Sequence, residues 1–178
     1  MSTDIKVLAA VYGTTKNGNN VTQICQNLIN PGNDDIPVNN STLGPDPDPG
    51  ATKYFGILYL NPAQNNGVPI ALGAKEGQTV DLVPLPPTAK TPVGNPVGPT
   101  GNTTVLAATF GSGKNGNNVT AVCQALINNG QRALPANNSV MGPDPDVGAT
   151  KYLAILVTVG GKFYALACSE NGTITVPV

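Results

Sequence analysis

The strongest constraint on this chain is an internal repeat. Sliding the sequence against itself by 98 positions lays VLAAVYGTTKNGNNVTQICQNLIN over VLAATFGSGKNGNNVTAVCQALIN, and the match runs without a gap through GPDPDPGATKYFGIL and GPDPDVGATKYLAIL. About 34 of the 52 columns from Val7 to Leu58 are identical. Past Leu58 the register changes by four residues, where NPAQNNG becomes VGG. A hairpin tip is where such a deletion is tolerated. The fold must therefore exist twice in one chain.

The copies are joined by PLPPTAKTPVGNPVGPTG, which is rich in Pro and Gly and lacks apolar periodicity. Proline removes ladder donors and keeps a chain extended, so this stretch reads as a semi-stiff spacer. The expected organisation is a first domain over 1–84, a linker over 85–103 and a second domain over 104–178. Within each copy, Lys6–Tyr12 and Val105–Phe110 read as buried strands ending in a glycine turn. Thr22 and Thr120 stand before apolar residues at i, i+1, i+4 and i+5 (Ile24, Cys25, Leu28, Ile29 and Val122, Cys123, Leu126, Ile127). That spacing makes one helical face with Thr as N-cap and NPG or NNG as the stop, a twisted strand over 22–30 being the alternative. KYFGILYL and KYLAILVTV read as central strands. A small sheet needs a second layer to cover its apolar face. The fold expected is mainly β: two tandem β-sandwich domains, each with at most one short helix.

Composition removes several functions. With 11% charged residues and a net charge of -1, the chain has no basic face for phosphates or anionic lipid. Nucleic acid is not an expected partner. The absence of His and Trp removes the usual general base near neutral pH, the commonest metal ligand and the strongest stacking ring. The N-terminal apolar run of about seven residues is too short for a signal peptide or a membrane span. A cytoplasmic protein without membrane insertion is expected. Three cysteines (Cys25, Cys123, Cys168) read as buried thiols rather than a disulfide framework. The Asn-X-Ser/Thr sequons at Asn20, Asn40, Asn102, Asn118 and Asn171 read as turn and cap chemistry.

Two loops could carry chemistry. In GPDPD, Asp46 and Asp48, or Asp144 and Asp146, stand two apart in an extended segment, so their carboxylates could face the same way. With the neighbouring asparagines they offer hard oxygen ligands for calcium, although that ion wants six to eight. An acid pair for glycoside hydrolysis must flank a cleft, which neighbours on one short loop rarely do. The competing reading is a stiff corner: proline fixes φ, Gly50 or Gly148 takes a conformation closed to other residues, and Lys53 or Lys151 neutralises a carboxylate. The second loop is KNGNNVT, the same in both copies. Lys16, Asn17, Asn19 and Asn20, with Lys114, Asn115, Asn117 and Asn118, could present amide donors and acceptors to a ligand, or form a polar turn capping the next helix.

The order of features resembles the C-terminal domain of the DnaJ-like protein of subfamily C, member eleven. The resemblance rests on Tyr12-Gly13, Val21-Thr22, Gln26, Asp46-Pro47, Gly50, Lys53, Glu76 and Pro84. In the second copy it rests on Phe110-Gly111, Val119-Thr120, Gln124, Asp144-Pro145, Gly148, Lys151, Glu170 and Pro177. Asn20 and Asn118 depart from that domain's preference for Asp, and no J-domain is present, so a co-chaperone role does not carry over. The resemblance implies a β-rich interaction module with Asp-Pro-X-X-Gly-X-X-Lys as its structural signature.

Three function classes follow. The first is a non-catalytic bivalent binding module for a carbohydrate or protein ligand, in which two similar sites give avidity. The second is a structural or self-assembling protein, suited by low charge, with a homo-oligomer as its product. The third is calcium-dependent sugar binding through the GPDPD loops. No other cofactor and no enzyme activity are expected.

Overall fold

The computed structural model of the chain describes residues 5–29, 32–83 and 92–178. Pro84, the first part of the expected linker, and Asn30-Pro31 of the expected helix stop lie outside them. The first copy runs β1 (Lys6–Gly13), β2 (Gly18–Asn20), α1 (Thr22–Leu28), β3 (Asp35–Pro37), α2 (Asn40–Leu43), β4 (Tyr54–Leu60), β5 (Ile70–Lys75) and β6 (Thr79–Asp81). The second repeats it as β7 (Thr103–Gly111), β8 (Gly116–Asn118), α3 (Thr120–Asn128), β9 (Ala133–Pro135), α4 (Asn138–Met141), β10 (Tyr152–Val159), β11 (Lys162–Ser169) and β12 (Thr173–Thr175). Each copy holds one antiparallel four-stranded sheet, β2-β1-β4-β5 or β8-β7-β10-β11, and one two-stranded ribbon, β3-β6 or β9-β12. The fold is mainly β.

The apolar segment after Val21 is a helix, and its face buries Cys25. Thr22 is not its N-cap. Its hydroxyl instead accepts the Ala10 N–H at 2.9 Å and donates to Asn20 Oδ1 at 2.6 Å, tying the helix start to β1. The sequence reading also missed a second helical turn in each copy, α2 and α4. Asn39 caps the first by accepting from Thr42 N at 2.8 Å, and Asn137 caps the other from Val140 N at 3.0 Å. Gln26 and Gln124 tie the helices to the sheets: their Oε1 atoms accept from Val7 N and Val105 N, each at 2.8 Å.

One face of each sheet packs on its own copy's helix and ribbon. In the first copy Tyr12, Phe55, Ile57, Tyr59 and Leu72 meet Cys25, Ile36 and Val80. Helix and ribbon together form the second layer that each sheet requires. The other face is shared. Ala9, Val11, Leu58 and Ala71 pack against Ala107, Ala154, Leu156, Ala165 and Ala167 of the second copy. The copies thus dock sheet against sheet through small side chains, which let the two backbones come close. A Cβ on Gly56 would sit 2.4 Å from both Ala154 Cβ and Thr109 Oγ1.

The sheet edges also meet. Gly73 N of β5 donates to Ser112 O, and at the equivalent place Ala167 N of β11 donates to Thr14 O, both at 2.8 Å. These contacts cover edges that would otherwise invite strand addition. The deletion between the copies falls where expected. Tyr152–Ser169 closes through Gly160 and Gly161, with φ of 54° and 81°, the backbone signs of a type I′ turn. The first copy spans the same gap with residues 61–69. Among the described residues, no helix is long and apolar enough to cross a membrane.

The shared face contains one orphan. Thr109 Oγ1 is buried without a hydrogen-bond partner, whereas the equivalent position in the first copy is Val11. Thr109→Val keeps the shape and removes an unpaired hydroxyl, so it is expected to raise stability by about 1 kcal/mol. An unchanged or lower urea midpoint would refute that account of the interface.

Candidate functional site

The two loops singled out in the sequence lie side by side. Thr14, just after β1, donates through its hydroxyl to Asp48 Oδ2 at 2.6 Å and accepts the Lys16 and Asn17 N–H groups at 3.1 and 3.2 Å. Asn19 Nδ2 donates to Pro45 O at 2.8 Å. The second copy repeats this: Ser112 donates to Asp146, and Asn117 Nδ2 donates to Pro143 O at 2.7 Å. Asn20 and Asn118 are used internally, since their Oδ1 atoms accept from Thr22 and Thr120 at the helix starts. Lys16, Asn17 and Lys114 are exposed at the loop tips, and Asn115 is half-buried there. The KNGNN loop therefore serves as a turn that props the GPDPD corner, and part of it still faces solvent.

The carboxylates of the corner diverge. Asp48 turns to Thr14, while Asp46 turns to Lys53. Lys53 is 4% exposed, and its Nζ lies 3.1 Å from Asp46 Oδ2 and 3.2 Å from Glu76 Oε1. Lys151 stands likewise 3.1 Å from Asp144 Oδ2 and 3.0 Å from Glu170 Oε1. Asp46 Oδ1 accepts Asp48 N across Pro47, and its Oδ2 accepts Asn40 Nδ2, both at 3.0 Å. Desolvation works against its ionisation, yet the Asp48 N–H, the Lys53 ammonium and the Asn40 amide together hold Asp46 below the usual carboxylate range. Glu76 is held low in the same way, by the Lys53 N–H and ammonium and the Tyr12 hydroxyl acting against desolvation. The two carboxylates outweigh the desolvation of Lys53 and keep its pKa above normal.

This arrangement is a corner in the physical sense. Gly44 and Gly50 have φ of 97° and 85°, and the ion triad pins the loop to β4 and β5. A calcium ion at Asp46 would have to displace an ammonium and two N–H donors. Among the described residues, no group of three or more His, Cys, Asp or Glu is arranged to hold a metal. The three thiols are free, and burial pushes each up to about 12. They stay protonated at neutral pH and are poor nucleophiles.

The copies differ at one point of the corner. Tyr12 places its hydroxyl 2.8 Å from Asn40 Oδ1 and 3.0 Å from Glu76 Oε1. Its counterpart is Phe110, and Asn138 Oδ1 is buried without a partner. Phe110→Tyr should restore the missing donor and stabilise the chain by about 1 kcal/mol. Equal thermal midpoints for the variant and the parent chain would argue against this.

A groove of about 920 Å³ opens beside the second corner. It is lined by Gln78, Thr79 and Asp81 from the first copy and by Ser112–Asn115, Asp146–Thr150 and Tyr152 from the second. Tyr152 stacks on Tyr54, its equivalent in the first copy, with centroids 5.6 Å apart. The groove unites three of the sequence candidates, Lys114, Asn115 and Asp146, with residues that sequence reasoning missed. Gln78, Thr79 and Asp81 gave no signal because they reach the groove only through docking of the copies. No family profile, no curated protein and no solved structure matches this chain.

Proposed function

We propose that the chain is a non-catalytic binding module whose ligand lies in the groove between the two copies. The observation that carries this reading is the groove itself: an open cleft lined by polar residues of both copies, with the stacked Tyr152 among them. Ligand sites are characteristically concave, with a few convergent polar groups. Its carboxylates, amides, hydroxyls and single ammonium suit a polar ligand held by hydrogen bonds. The nearby ion triads act as structural supports, which is also the role we assign to the Asp-Pro-X-X-Gly-X-X-Lys signature. Duplication then serves to build the two walls, so that a half-chain lacks the site.

The test is a screen of the isotope-labelled chain by NMR against a soluble oligosaccharide set and a pool of short peptides. The reading expects at least one hit whose shift changes concentrate on Thr79, Asp81, Lys114, Asn115 and Tyr152. It also expects that hit to weaken about tenfold or more in Lys114→Ala. Hits that perturb only residues outside the groove, or none at millimolar concentration, would count against it.

A further inference from the structure

Building on the proposed groove site, we infer that its occupant is an extended peptide carrying a basic residue, added as a third strand to the β3-β6 ribbon. Asp35, Ile36 and Pro37 pair with Asp81, Val80 and Thr79. Val38 N donates to Gln78 O at 2.8 Å and Leu82 N donates to Asp34 O at 3.0 Å. In an antiparallel ladder hydrogen-bonded and open pairs alternate. Residues 78, 80 and 82 therefore bond to β3, and the N–H and C=O groups of Thr79 and Asp81 point to the opposite side. The ribbon has two strands among the described residues, so no strand lies there.

Several other edges are covered or blunted. β5 and β11 each donate to the opposite copy, and the outward positions of β3 include Pro37, which has no N–H to offer. The β6 edge receives neither treatment, and its residues line the groove. Main-chain bonding along such an edge gives affinity, and pockets for alternate side chains give selectivity. Selectivity here comes from charge: Asp81 and Asp146 line the cleft against one ammonium, Lys114. A Lys or Arg on the peptide complements that surplus. β12 offers a similar edge through Thr173 and Thr175 but has Thr175 where β6 has Asp81, so basic preference belongs to the β6 site.

The experiment pans a random heptapeptide library against the full chain and measures the enriched peptides by titration. Enriched sequences should be strand-formers with at least one Lys or Arg. Thr79→Pro removes an outward N–H without touching the β3 ladder and should weaken them about tenfold or more; Asp81→Asn should abolish the basic preference. Methylating each peptide N–H in turn tests the same geometry with the protein untouched, and losses should follow a period of two. Losses without that period, or enrichment without basic residues, overturn the inference. Binding of a neutral oligosaccharide in the groove with no peptide enriched overturns it while the groove reading stands. Absence of both kinds of ligand removes the groove reading as well.

Discussion

Gly18→Ala combined with Gly116→Ala should unfold the chain or part its two sheets. A Cβ on Gly18 would lie 2.2 Å from Ala165 O, and one on Gly116 would lie 2.3 Å from Ala71 O. Both clashes are with backbone of the opposite copy, so no flexible side chain can swing away. Overpacking of this kind costs about 1–3 kcal/mol per site, and more where backbone must move. Two such sites approach the lower end of the total stability of a domain, about 5–15 kcal/mol. Gly98→Ala is the control, since nothing lies within 4 Å of its added carbon. Urea denaturation of the parent, singles, double and control decides the matter. A double variant with the parent's midpoint would show that the edge contacts do not hold the copies together.

The second large effect is on acid stability. Asp46, Glu76 and Asp144 have lowered pKa values in the folded chain, so their stabilisation is present above the unfolded carboxylate range. It drains as pH falls through the lower folded values, when protonation leaves the buried Lys53 ammonium beside neutral Asp46 and Glu76 and the buried Lys151 ammonium beside neutral Asp144. Lys53 and Lys151 have raised values, so their contribution is complete below the unfolded value of 10.5 and is lost as pH climbs past the folded one. A plateau between these limits is the expected profile, with a steep acid limb and a shallower alkaline one. Glu76→Gln should flatten the acid limb and lower the plateau, because one of two partners of a buried cation is gone. A parallel displacement of the whole curve, with the acid limb intact, would locate the titrating groups elsewhere.

Much of the fold was legible in the residues, and the failures have a common cause. The repeat, the central strands, the hairpin deletion and the helix after Val21 are local or comparative signals. Val-Leu-Ala-Ala-Val in β1 also announced a buried strand, and the structure buries it on both faces. What the run does not say is which partner covers each face. Ala9 and Val11 face the second copy while Ala10 and Tyr12 face the helix, a division set by the bulge at Leu8, where the pairing steps from Val7 to Ala9. The choice of Asp46 over Asp48 by Lys53 was similarly open, because it depends on Glu76, 23 residues further on, arriving across a strand pair. The groove was least legible of all. Its walls come from segments more than thirty residues apart, and neither wall has a motif of its own.

The shared sheet face has one more consequence. Equivalent positions of the two copies meet across it, so the same surface fits a second copy from another molecule as well as the one on its own chain. Only tethering favours the internal partner, and a short tether supplies a local concentration in the millimolar range. Refolding at protein concentrations near that value should yield exchanged, interlocked dimers that contain the same sheet contacts as the monomer and separate only on unfolding.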